Sequence, residues 1–162
     1  MIDLERLREH FPERRIEYYP ELDSTMRAAA DLPAGSVVLA DRQTAGQGRH
    51  GHTWHSEPSN GIYCSMVLEP TPVLTLALGI ATVEAISQAY GIVCDIRWPN
   101  DLMLDGKKVA GILVQLAGAQ AVAGIGINVN QTLFPPELDA YATSLCIHEG
   151  RRLSREHCVR SD

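Results

Sequence analysis

Along the first third of the chain, apolar positions change period several times. Leu4, Leu7 and Phe11 recur at helical spacing and Pro12 follows, which predicts a weak amphipathic helix that stops at the proline. RIEYYPEL is an extended run, and in DSTMRAAADL either Asp23 or Ser24 is suited to cap a brief helix. GSVVLADRQ, opened by Gly35, and GIYCSMVLE, from Gly61 to Glu69, have the aliphatic density of strands. The longest apolar stretch, VLTLALGIATVEAISQAY from Val73 to Tyr90, approaches membrane-spanning length. Its Leu74, Leu78, Ala81 and Ala85 share a helical face, and Glu84, Ser87 and Gln88 mark it as a core helix instead. CDIRW, DLMLDG, KKVAGILVQL and AVAGIGINVN then read as consecutive strands, with Asp105-Gly106 fitting a type I′ hairpin turn between the second and third. FPPELDAYATSL predicts a short helix begun by proline and its exit, and SREHCVRSD the beginning of another helix. Helices at the front and middle followed by strands predict an α+β fold with a mostly antiparallel or mixed sheet.

Composition narrows this picture without redirecting it. The chain has 162 residues, 45% hydrophobic and 21% charged, enough for one domain with a real core. Fourteen basic against 20 acidic residues give a formal charge of −6, so a surface that tracks nucleic-acid phosphates is not expected. Cys64, Cys94, Cys146 and Cys158 lie far apart, with no C-x-x-C pair and no signal peptide before the first helix, and this predicts a reduced, cytoplasmic protein.

Candidate chemistry begins at GQGRHGHTWH, residues 46 to 55, where Gly46, Gly48 and Gly51 have the G-x-G-x-x-G spacing of a dinucleotide-binding turn. Such a turn needs a helix after the glycines, because the helix N-terminus holds the pyrophosphate. HTWHSEPSNG, with Pro58, an Asn-Gly pair and no apolar period, is not that helix. What remains is a glycine-rich, mildly basic loop carrying Arg49 and ending at Trp54. Its glycines make it costly to order alone, so ordering over an anionic, aromatic ligand is the natural inference. His50, His52 and His55 have no second ligand cluster nearby, and zinc is not expected.

In RWPND, residues 97 to 101, Pro99 favours extended geometry at Trp98 and makes Asn100-Asp101 a turn leaving a strand. An amide and a carboxylate there suit a magnesium ion or ribose hydroxyls; plain turn chemistry is the alternative. In KKVAGILVQL, strand alternation places Lys108 with Ala110, Ile112 and Val114, and Lys107 with Val109 and Leu113. Both faces are apolar, so a lysine here either meets a buried anionic partner or snorkels to water. In GIGINVN, Ile125, Ile127 and Val129 face one way, and Gly124, Gly126, Asn128 and Asn130 the other. Strand glycines mark close approach by a ligand or by another backbone.

Taken together and in this order from Ser24 to Asn130, STM, QTAGQGRHGHTW, RWPNDL, KKVAGILVQ and GIGINVN resemble the catalytic core of the biotin protein ligases, and FPPELDAYATSL fits the same family. The resemblance implies a central mixed β-sheet flanked by helices, related to class II aminoacyl-tRNA synthetases. It implies a single catalytic domain over residues 1–162, shortened at the C-terminus, where the family continues through a helix into a small β-barrel. ATP and biotin would combine, with Mg2+, into biotinyl-AMP, and a lysine of a biotin carboxyl carrier domain would then take the biotinyl group. By the family pattern, Arg49 and Lys108 are the catalytic cations. Ser24, Thr25, Gln43, Gly46, Gln47, Gly48, Arg49, Lys108 and Gly111 bind biotin. Trp54, Asn100, Asp101 and Asn128 hold the nucleotide, with Asp101 also a magnesium ligand. No DNA or membrane partner is expected, because no N-terminal DNA-binding domain fits, and a homodimer stays open. Met26 stands where the family has asparagine, Gln47 and His52 where it has arginines, and Gln115 where glutamate is common. Each departure loses a charge or a polar contact toward the intermediate. Two alternatives stay open: a module that binds biotin or its adenylate without efficient transfer, and a lipoate or octanoyl transferase.

Overall fold

The computed structural model describes residues 2–160. Its centre is a seven-stranded sheet in the order β1-β2-β3-β7-β6-β5-β4. The strands are β1 (Ile16–Tyr19), β2 (Val37–Ala40), β3 (Gly61–Leu68), β4 (Asp95–Arg97), β5 (Asp101–Leu104), β6 (Lys107–Ala117) and β7 (Gln120–Asn128). β1 and β2 are parallel and every other neighbouring pair is antiparallel, so the sheet is mixed, as the strand-rich second half of the sequence predicts. β5 and β6 are joined by Asp105 and Gly106, whose φ values of 52° and 75° are those a type I′ turn demands.

Helices flank both faces. On one lie α1 (Leu4–His10), the long α3 (Leu74–Tyr90) and the short α6 (Arg155–Val159). α3, through Ile86, covers a core of Ile62, Leu102, Ile112, Ile127 and Val129, and α1 packs on Ile16 and Leu39. The opposite face carries α2 (Thr25–Ala29), where Met26 and Ala29 close over Val38, Val67 and Val122. Strand alternation explains the split: even-numbered β7 positions look toward α2 and odd-numbered ones toward α3. Among the described residues no helix is long and apolar enough to cross a membrane, and the four cysteines are unpaired.

Local details correct the sequence reading. Neither Asp23 nor Ser24 caps α2 through its side chain. The Ser24 hydroxyl is taken by Gln47, and the first helical amide, that of Thr25, donates instead to Gln43 Oε1 at 2.9 Å, a cap supplied from 18 residues away. Past the stretch read as a helix exit, which ends at Leu145, lies an unforeseen helix, α5 (Leu145–Glu149), opened by Ser144, which accepts from the Ile147 amide, and closed by Gly150 at φ 71°. Ahead of it, α4 (Pro136–Asp139) is the expected proline-started turn.

The largest correction is in β6. Leu102 pairs with Ala110 but Met103 pairs with Lys108, leaving Val109 as an extra residue, a β-bulge. Val109 and Ala110 consequently both enter the core. Lys108 turns to the side of Gly111 rather than that of Ala110, Ile112 and Val114. Its backbone is held by Tyr141 and Thr143, which bond its amide and carbonyl at 2.7 and 2.9 Å.

Candidate functional site

On the α2 face, the central strands carry no side chain at three neighbouring positions, Gly111, Gly124 and Gly126. Gly126 of β7 pairs with Gly111 of β6, and Gly124 pairs with Leu113 and with Ser65 of β3. The bare floor is occupied from above. A methyl at Gly126 would lie 2.5 Å from Trp54 Cε2, one at Gly111 would lie 2.9 Å from Trp54 Cζ3, and one at Gly124 would lie 2.6 Å from Met26 Sδ. Strand glycines here serve close approach, and a side chain at any of the three would displace an aromatic or thioether wall.

The 46–54 loop folds back on itself. Trp54 donates to the Gly46 carbonyl at 2.8 Å, Gly48 to that of His52 at 2.7 Å, and His52 to that of Arg49 at 3.0 Å. Its tip is one 3-10 turn, Arg49–Gly51, with His50 and Gly51 at positive φ, and no helix follows; the dinucleotide reading is excluded by geometry as well as by pattern. The turn throws Arg49 across the cleft, where its guanidinium donates to Asn100 Oδ1 at 3.2 Å. Asn100 is itself tied to Ile112 by its side-chain amide and by its carbonyl, at 3.2 and 2.9 Å. The loop's fold lays the Trp54 indole on the glycine floor, its buried Nε1 without a hydrogen-bond partner and Lys108 Nζ 5.3 Å from the ring centroid.

A polar cluster stands beside this aromatic. Thr25 Oγ1 donates to Gln43 Oε1 at 3.0 Å and shares a hydrogen bond of 2.7 Å with Ser65 Oγ. Gln43 Nε2 reaches Ser56 Oγ at 3.0 Å, and Ser24 Oγ donates to Gln47 Oε1 at 3.2 Å. Ser65 and Ser56 were not anticipated. For Ser65 the available signal was a serine inside an otherwise apolar strand, which has to bond something when buried; Ser56, in a loop, carried none.

Charge collects at the other end. Lys108 Nζ and Arg97 each lie 2.7 Å from an oxygen of Asp101, the anionic partner that strand reasoning required for a buried lysine. Burial raises the Asp101 pKa, but the hydrogen bonds and charges of Lys108 and Arg97 outweigh it and hold the carboxyl below the ordinary aspartate range. Both oxygens are thereby engaged, and among the described residues no three His, Cys, Asp or Glu side chains converge. Cys64 packs into the cores on the opposite face of β3, where burial pushes its thiol up to about 12 and keeps it neutral rather than a thiolate.

Of the residues singled out from sequence, Thr25, Gln43, Gln47, Gly48, Arg49, Trp54, Asn100, Lys108 and Gly111 line one cavity, whose free volume is about 40 Å³ with Trp54 seated. Ser24 sits behind Gln47, and Gly46 lies under the loop, where a methyl would stand 2.6 Å from the Trp54 carbonyl. Asp101 reaches the cavity only through Lys108. Asn128 is set apart, its amide donating to the Thr143 carbonyl at 3.1 Å and its carbonyl accepting from Gln131 at 3.3 Å. Met26, Leu113, Gly124 and Gly126 also line it.

Comparison with known proteins agrees with this geometry. Residues 18–131 match the model of the biotin/lipoate A/B protein ligase family. The chain is 42% identical to the bifunctional ligase/repressor BirA of Bacillus subtilis (strain 168), over 88% of this chain and 50% of that protein. It is 37% identical to the biotin--[acetyl-CoA-carboxylase] ligase of Mycobacterium tuberculosis, over 76% of this chain and 50% of that one. The chain therefore spans about half the length of the curated relatives it matches. Among solved structures, the biotin protein ligase of Aquifex aeolicus in complex with biotin and ATP superposes with a TM-score of 0.84 at 35% identity, covering 90% of this chain and 65% of that one. The α+β fold, the glycine floor beneath a folded loop and these matches agree, and the chain belongs to the biotin/lipoate A/B protein ligase family.

Proposed function

We propose that the chain is a biotin ligase catalytic domain that joins biotin to ATP and passes the product to a lysine of a biotin carboxyl carrier domain. One observation carries the reading: a single cavity unites two cations, Lys108 and Arg49, with the Thr25-Gln43-Ser65 hydrogen-bonding cluster and an aromatic on bare backbone. Activation brings a carboxylate against a phosphate, so cations are needed where the two anions meet. A biotin carboxylate oxygen attacks the α-phosphorus, the bond to the β-phosphate breaks, and pyrophosphate leaves. A carrier lysine amine then attacks the acyl carbon, AMP departs with the bonding pair, and the amine loses its proton.

On this reading Lys108 and Arg49 face the reacting groups, Ser24, Thr25, Gln43, Gln47, Gly46, Gly48 and Gly111 enclose biotin, and Trp54, Asn100 and Asp101 border the nucleotide. Asn128 contributes through its hold on the Thr143 carbonyl, beside the backbone of Lys108. Mg2+ would arrive with the nucleotide phosphates, and Asp101 is the carboxylate that would help to hold it. A folded loop keeps water from the mixed anhydride, and the cytoplasm, where carboxylases and ATP meet, is the fitting compartment. The deciding experiment incubates the chain with ATP, Mg2+, labelled biotin and a purified carrier domain. ATP-dependent label on the carrier is expected. Adenylate formed without label would reduce the chain to a binding and activating module, and no biotin binding at all would overturn the assignment.

A further inference from the structure

Met26 occupies the opposite end of the floor from the cations. Gly126 and Gly124 are two residues apart on β7, about 7 Å along an extended strand. Over the first lies Trp54, next to Lys108; over the second lies the thioether of Met26, with Sδ 2.6 Å and Cγ 3.2 Å from the place a Cβ would take. The side chain is 6% exposed, lines the cavity, and is braced from behind by Ala29, Val38, Val67 and Val122. Leu113, opposite Gly124, adds a second apolar wall, while the Ser65 hydroxyl lies 3.5 Å from the same Cβ position. The far end of the cavity is therefore closed by an apolar, unbranched stop beside a short polar strip.

We propose that Met26 is a specificity-determining residue that sets the length of carboxylic acid the pocket accepts. The inference rests on the reading above, in which the acid carboxylate lies toward Lys108. With that end pinned by charge, chain length is measured from the cation, and an acid one or two carbons too long drives its ring into Cγ, Sδ and Cε of Met26. The stop is soft at its tip, since a thioether stem has several rotamers, but it is backed by packed core. The substrate class is a monocarboxylic acid of bounded length ending in a compact ring with a polar edge that the Thr25-Ser65-Gln43 cluster can meet.

The test measures ATP-pyrophosphate exchange by the full chain with biotin and with analogues whose side chain is one carbon shorter, one longer or two longer. Wild type should lose about tenfold or more in kcat/KM at the first added carbon, carried by KM, as expected of a methylene that does not fit. Met26→Ala should move the cut-off to longer acids, recovering at least tenfold for the longer analogues. Met26→Gln, which keeps the length, should leave the cut-off in place. Should alanine cost the fold, Met26→Val keeps more buried bulk and must still shift toward longer acids. Length profiles that superimpose for wild type and these variants overturn the role of Met26 alone. A wild-type chain that neither binds biotin nor exchanges pyrophosphate overturns the functional reading with it.

Discussion

At the residue scale, Lys108 stacks over Trp54 and pairs with Asp101, so its charge is placed and held before any ligand arrives. Lys108→Ala should lower the pyrophosphate-exchange rate by about 100-fold or more, the effect of losing one donor to developing charge. Biotin affinity, read by calorimetry, should change far less; equal losses would contradict the role. The pairing also has an acid limit. Because the folded Asp101 carboxyl is held below its ordinary value, its contribution is complete above the unfolded aspartate range, near about 3.9, and drains away as pH falls through the lower folded value. Denaturant titrations below pH 5 should show Asp101→Asn converging on wild type as acidity rises, and a gap that widens would be inconsistent with it. Gly126→Ala should lift the indole off the floor: in a Trp98→Phe background the emission should shift red and quench more readily, whereas an unchanged spectrum would mean Trp54 sits elsewhere.

At the scale of elements, hairpin and strands were legible because alternation, β-branched density and the Asp105-Gly106 dipeptide are local signals. Gly106 sits at φ 75° with open space around its missing side chain, so alanine there costs left-handed backbone strain and no clash. Gly106→Ala should lose about 1–2 kcal/mol, a drop of a few degrees in Tm, and Gly106→Asn distinctly less. Equal losses would point to something besides backbone strain. The bulge at Val109 was not legible, since nothing in KKVAGIL marks the extra residue; it arises from the pairing of Lys108 with Tyr141 and Thr143, more than 30 positions away in sequence. Alternation alone therefore assigned Lys108 to the wrong face. The α2 cap fell to Gln43 for a similar reason, a contact between segments that no local pattern records.

For the whole molecule, α6 and β1 are fastened to the segment between β2 and the site. Arg155, 7% exposed, bonds Asp41 Oδ1 at 2.9 Å and the Gly61 carbonyl at 3.1 Å, and the other Asp41 oxygen accepts from Tyr18 at 2.6 Å. Burial, with the Asp41 carboxylate beside it, pushes the Tyr18 hydroxyl up to about 12. α6 is thereby tied to β1 and to the segment that leads into Gln43. Arg155→Met should cost about 3–5 kcal/mol by stranding Asp41, and Arg155→Met with Asp41→Asn should recover a good part of it in denaturant unfolding. Additive losses would show that the two side chains do not act on each other. Sequence reading located most of the cavity because its residues sit in short motifs. It did not foresee the buried partners of Asn128, Gln131 and Thr143, which lie outside any motif.

A sheet can tolerate many identities but not many tallies. One supernumerary residue at Val109 decides whether the neighbouring ammonium group looks into the cavity or toward α3, so trimming the β5-β6 hairpin by a single position would reverse a cation without changing the chain's net charge. In this stretch, composition is free to drift and spacing is not.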